Sequence, residues 1–161
     1  MADRPNFIVI MSDQHNRRNI GCAGDGIVRT PHLDALADRG TLFENTYCAS
    51  PLCVPSRMTF LTGRHCSDID VWTNGCSLAS DIPTFANGLG IAGYEAVLGG
   101  RMHFVGPDQR HGFEHRIIGD VLCPRPGGPR PGLGERLRGT TGQMREVVEV
   151  AGPGRTAYQG Y

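Results

Sequence analysis

The residues with the clearest chemistry are Cys53 and Arg57, in the run Cys53-Val54-Pro55-Ser56-Arg57 that leads through Met58-Thr59-Phe60 to Leu61-Thr62-Gly63. Pro55 suits the first turn of a helix, where its missing N–H costs nothing, so a helix is expected from about Pro55 to Leu61. Cys53 would then lie at the mouth of that helix, where open N–H groups and the positive end of the dipole favour an anion. Arg57 follows four residues later, a spacing that brings its guanidinium back toward the same turn. A reactive sulfur, a positive helix end and an arginine form a site for a tetrahedral oxyanion such as sulfate or phosphate. The alternative for Cys53 is a half-buried structural thiol, since free cysteine behaves as a small hydrophobe.

These residues need elements to position them. The apolar run Asn6-Phe7-Ile8-Val9-Ile10-Met11 predicts a strand covered on both faces in a parallel sheet. It ends at Ser12-Asp13-Gln14-His15, polar residues at the carboxyl edge where open α/β sheets bind ligands. Residues 30–40 read as a Thr N-cap, a proline at the first helical position, an amphipathic helix and a closing glycine. Residues 41–45 predict a second strand, 82–93 a helix weakened by its glycines, and 94–99 a further strand. Strands alternating with helices predict an α/β fold, a layered and mostly parallel sheet flanked by helices. Residues 122–134 hold a dense run of proline and glycine and read as a loop or a disordered insertion. For residues 140–150, periodicity leaves a short helix and an extended segment equally open.

Composition bounds the class of molecule. At 161 residues the expectation is one domain with a real core. Acidic and basic residues balance at 16 each, and every basic residue is arginine. Net charge therefore points to neither nucleic acid nor an anionic membrane. The opening apolar strand is too short for a span, and no small-residue cleavage site accompanies it. The six cysteines (22, 48, 53, 66, 76 and 123) read as reduced thiols of a cytoplasmic protein. The spacing of Cys48 and Cys53 is not a zinc pattern.

The run from Cys53 to Gly63 matches C-x-P-S-R-x-x-x-L-T-G, and on that ground the chain resembles the type I sulfatases, whose fold is alkaline-phosphatase-like. The resemblance implies that Cys53 is oxidised to formylglycine by a formylglycine-generating enzyme. It implies hydrolysis of a small-molecule sulfate ester, with a hydrated aldehyde oxygen attacking sulfur and the second hydroxyl later expelling sulfate. It also implies one divalent cation, calcium first, with magnesium or manganese as alternatives. Its ligands in this chain would be Asp13, Gln14 and the oxygen at position 53, that is, modified Cys53. Many relatives carry two adjacent acids where this chain has Asp13-Gln14, a variant similar to the choline-sulfatase and phosphonate-monoester-hydrolase branches.

A second stretch carries the same resemblance. Residues 99–114, Gly-Gly-Arg-Met-His-Phe-Val-Gly-Pro-Asp-Gln-Arg-His-Gly-Phe-Glu, are similar to G-K-M-H-F-V-G-P-D-Q-x-H-G-F-E of choline-sulfatase-like proteins. There a lysine and a histidine contact the sulfate and help the leaving group. His103 matches, and Arg101 stands where the lysine would be, keeping the charge on a planar fork that does not give up a proton. Asn74 resembles a family asparagine near the sulfate. His65, His111 and His115 read as structural or exposed, and His15 as a loop histidine bonded to backbone.

Sulfatases are several times longer than this chain, and their remaining metal ligands lie far downstream. Residues 1–161 are therefore expected to be the amino-terminal part of one sulfatase catalytic domain, truncated and catalytically silent alone. Full-length relatives are candidates for homo-oligomers. Two other readings stay open: a phosphonate or phosphate monoester hydrolase on the same scaffold, and an inactive relic.

Overall fold

The computed structural model describes residues 4–118. The expected loop at 122–134 and the undecided segment at 140–150 lie outside the described residues. The chain divides into two compact units, Met1–Tyr47 and Cys48–Tyr161.

In the first unit, short 3₁₀ turns at Arg17–Asn19 and Gly21–Ala23 precede helix α1, Pro31–Arg39. Pro31 opens α1 as expected. Thr30 flanks it, but its side chain does not cap the helix. Instead the Thr30 hydroxyl donates to Asp34 Oδ1 (2.9 Å) and accepts the Gly21 N–H (2.8 Å). Asp34 Oδ1 also accepts the Cys22 N–H at 2.7 Å, which ties the Gly21–Ala23 turn to the helix. A Cβ on Gly21 would lie 2.6 Å from Asp34 Oδ2, so any side chain there would displace the Asp34 carboxylate from these bonds. Gly40 ends α1 in extended backbone, with φ −119°, and not in the left-handed cap expected of it.

The two strands expected here are absent. Residues 6–11 and 41–45 carry no strand pairing. Ile8 and Ile10 are 84% and 85% exposed, and Phe43 is also open to solvent. A buried parallel strand exists only through ladder partners on its edges and helices on its faces. Among the described residues, neither run takes part in a strand ladder.

The second unit holds the core. Helix α2, Cys53–Thr62, buries Val54, Met58 and Leu61 against Ile69, Val71, Leu78, Ala86, Leu98, Met102, Phe104 and Phe113. It starts two residues before the expected point, with Leu52 as its extended N-cap, so Cys53 is its first residue and Pro55 its third. Pro55 still falls within the first turn, where an N–H has no helical acceptor. The end of the signature closes the helix. Thr62 Oγ1 donates back to the Met58 carbonyl (2.8 Å), and Gly63 adopts φ 66° with its N–H on the Thr59 carbonyl (2.9 Å).

Helix α3 covers Cys66–Ile69, and α4 covers Phe85–Ile91, inside the region expected to be helical. Thr84 and Asn87 form a capping box that starts α4 despite Gly88 and Gly90. Strand β1, Val97–Gly99, lies within the expected strand at 94–99 and pairs in parallel with β2, His115–Ile118, Val97 opposite His115. Periodicity does not single out β2, because His115 and Arg116 interrupt its apolar character. The mostly parallel sheet expected from the sequence is thus represented by two parallel strands among the described residues. None of the described helices is long and apolar enough to cross a membrane.

Candidate active site

The first turn of α2 is the centre of the site. Cys53 is half-buried there. The N–H groups expected to be open at the helix mouth are largely engaged: Val54 donates to Asn74 Oδ1 (2.9 Å), Pro55 has none, and Ser56 donates to the Leu52 carbonyl (3.0 Å). Asn74 therefore belongs to this site through the residue next to Cys53. With Oδ1 used as acceptor, its amide NH₂ remains the donor side. On the same turn, the Ser56 hydroxyl lies 2.7 Å from Cys48 Sγ, and that sulfur also reaches the Ser50 carbonyl at 2.8 Å. Cys22, Cys48, Cys53, Cys66 and Cys76 are all free thiols.

Arg57 is 7% exposed. Its Nη1 donates to the Arg101 carbonyl (2.8 Å) and lies 3.9 Å from Met102 Sδ. A guanidinium in a hydrophobic core must keep its donors satisfied, because an unpaired buried charge is strongly unfavourable. Arg57 thus straps the loop at 101–103 to α2. Met102 in the middle of that loop is buried in the core, which leaves Arg101 and His103 on either side of it. Arg101 Nη2 lies 3.0 Å from His103 Nδ1, and His103 holds φ 56°, a left-handed backbone rarely taken by a non-glycine residue. Within the second unit, one hydrogen bond thus ties Asn74 to Val54, next to Cys53, and two others join Arg57, Arg101 and His103.

Asp13 and Gln14 belong to the first unit and are exposed. Gln14 also takes left-handed backbone, at φ 52°. In donor type the pair fits a hard divalent cation, one carboxylate and one amide oxygen. No three His, Cys, Asp or Glu side chains come together as a metal cluster among the described residues. His15 behaves as read from the sequence: Nδ1 lies 3.3 Å from Ser12 Oγ and Nε2 3.4 Å from the Asn19 carbonyl.

Sequence reasoning missed the supports of the His103 loop. Gln109 Nε2 donates to the Phe104 and Gly106 carbonyls (3.0 and 2.9 Å), and its Oε1 accepts Arg116 Nη1 at 2.7 Å. Asp108 accepts the N–H groups of Arg110 and His111 (2.9 and 3.0 Å). Burial raises the Asp108 carboxyl, but those two N–H groups and the His111 ring outweigh it and hold it below the usual carboxylate value. His111 is buried beside the Phe104 ring, with Nδ1 3.3 Å from Asp108 Oδ2. Burial pushes its pKa below the ordinary histidine value, with Asp108 opposing. The sequence signal for this framework was the Pro107-Asp108-Gln109 turn. His65 is the N-cap of α3, and His115 pairs with Glu95 at 3.0 Å, so neither joins the site.

Residues 5–124 match the family model described as Sulfatase. The chain is 44% identical over 118 residues to a choline-sulfatase of Rhizobium meliloti (strain 1021), covering 73% of this chain and 23% of that protein. Among solved structures, BT4656 in complex with its substrate D-glucosamine-2-N,6-O-disulfate superimposes with a TM-score of 0.67 at 34% identity, over 72% of this chain and 23% of that one. The phosphonate monoester hydrolase of Agrobacterium radiobacter superimposes with a TM-score of 0.62 at 28% identity, over 70% of this chain and 25% of that one. This chain thus spans about a quarter of the length of these relatives. The likeness runs through both the signature helix and the His103 loop, and it carries the alkaline-phosphatase-like α/β fold with it. With three-quarters of its residues in the family match, the chain belongs to the sulfatase family.

Proposed function

We propose that this chain is the amino-terminal part of a sulfuric ester hydrolase, bearing a formylglycine made from Cys53 by a formylglycine-generating enzyme. The observation that carries the reading is the hydrogen-bonded set on and around α2. Cys53 is the first residue of the helix, Asn74 is bonded to the next residue, and Arg57 holds the Arg101–His103 loop to the same turn. Arginine and amide donors around a helix N-terminus suit a bound sulfate oxyanion. Asp13 and Gln14 would supply two of the oxygen ligands of a divalent cation, calcium before magnesium or manganese. When bound, that cation supplies positive charge to offset the sulfate. The small-molecule substrate would be a sulfate ester, as in the choline-sulfatase relative, and the reduced cysteines fit a cytoplasmic setting.

A phosphonate or phosphate monoester is the second reading, favoured by the likeness to the phosphonate monoester hydrolase. One experiment separates the two. Residues 5–118 replace the matched segment of the choline-sulfatase, and the chimera is co-expressed with the formylglycine-generating enzyme. The expected result is calcium-dependent sulfate release from choline sulfate or an aryl sulfate, abolished by Cys53→Ala. Faster turnover of a phenyl phosphonate monoester would favour the second reading, and no turnover of either ester would refute both.

A further inference from the structure

We infer that Arg101 is a positioning residue that locks His103 as a neutral imidazole with its proton on Nε2, making His103 a hydrogen-bond donor and not a proton-delivering acid. The inference deepens the proposed sulfatase site and rests on that reading for its catalytic meaning, but the lock itself stands on geometry. Arg101 Nη2 is 3.0 Å from His103 Nδ1. A guanidinium has only donors and stays protonated at any pH a protein survives, so this contact is a hydrogen bond only if Nδ1 offers its lone pair. The single proton of the neutral ring must then sit on Nε2.

The rest of the loop keeps the pair in place. The Arg101 carbonyl accepts Arg57 Nη1 from α2, Met102 is anchored in the core, and His103 is held at φ 56°. The backbone that carries the contact is therefore tied to α2 by a bond other than the contact itself. Arg57, the charged group that α2 brings to this loop, is also cationic and opposes a second positive charge on the ring in the same sense. Protonating His103 would set an N–H against an N–H and put a second cation directly beside the Arg101 guanidinium. A neutral ring can donate Nε2–H to a sulfate or ester oxygen, but transferring that proton would leave an imidazolate. With a lysine at position 101 the cation could itself lose a proton, and this constraint would relax.

Two-bond ¹H–¹⁵N spectra of the full chain, labelled at histidine nitrogens, read the tautomer directly. His103 is assigned by the resonances lost in His103→Gln. The expected result is a proton-bearing Nε2 and a proton-free Nδ1 near neutral pH. The same neutral signature should persist at about pH 6, below the ordinary histidine value of about 6.5. In Arg101→Met the ring should carry protons on both nitrogens at that lower pH. A wild-type ring protonated on Nδ1 would overturn the inference, and this arm needs no variant to fold. Indistinguishable rings in wild type and a folded Arg101→Met would overturn it as well. Sulfate release does not enter these spectra, so failure of the sulfatase reading would show separately, in the chimera assay.

Discussion

At the scale of single residues, the signature divides into chemistry and construction. Leu61, Thr62 and Gly63 build the end of the helix through burial, a back-bond and a left-handed cap. Ser56 meets Cys48. Only Cys53 and Arg57 are candidates for chemistry, and Arg57 also ties α2 to the loop that carries Arg101 and His103. Arg57→Ala in the chimera should therefore lower turnover by on the order of 10²–10³, the loss found on removing one preorganised oxyanion donor. Arg57→Lys should recover only part of it, because an ammonium cannot reproduce the planar fork that reaches the Arg101 carbonyl. Steady-state sulfate release against each variant checks this, and full activity in Arg57→Ala would remove Arg57 from the site.

At the scale of elements, local signals were legible where a segment carries its own hydrogen bonds. Residues 31–39 and 53–62 fold as helices close to their expected bounds because each carries a proline in its first turn and is followed directly by a glycine. The run at 6–11 is as apolar as any buried strand and 41–45 holds Leu42 and Phe43, but a strand is made by its neighbours, and sequence periodicity carries no information about them. Strand β2 was missed for the converse reason: pairing with Val97–Gly99 makes it a strand, while its own residues alternate weakly. The loop after His103 depends on Asp108, Gln109 and His111, and here pH enters. His111 is neutral when buried and its pKa is depressed, so the folded state binds fewer protons than the unfolded chain below the ordinary value of 6.5. Its contribution is complete above that value and is lost as pH falls from it toward the depressed folded value. Asp108, also depressed, keeps its contribution until well below that window, near the ordinary value of 3.8 and lower. The thermal midpoint of the chain should thus decline on mild acidification below 6.5, and His111→Gln should flatten that decline. A wild-type midpoint unchanged across this window would contradict the assignment.

At the scale of the whole molecule, the chain covers 23% of the choline-sulfatase it resembles. Within that span Cys53, Arg57, Asn74, Arg101 and His103 all belong to the second unit, with Asn74 bonded beside Cys53 and Arg57 bonded to the Arg101–His103 loop. Asp13 and Gln14 lie in the first unit, and their proposed metal role rests on the family resemblance and on their donor chemistry. The roles of Asn74 and His103 came from family resemblance, because neither spacing nor periodicity brings residue 74 or 103 to residue 53. In the structure Asn74 accepts the N–H of Val54, next to Cys53, and His103 lies against Arg101, whose carbonyl takes Arg57. The central claim is that the turn beginning at Cys53 carries formylglycine. Mass spectrometry of the peptide spanning Cys53, after co-expression with a competent formylglycine-generating enzyme, tests it most directly. The account predicts loss of the cysteine sulfur and an aldehyde that reacts with a hydrazine probe, absent in Cys53→Ala. An unmodified thiol in chain made alongside an enzyme that converts the choline-sulfatase would contradict it.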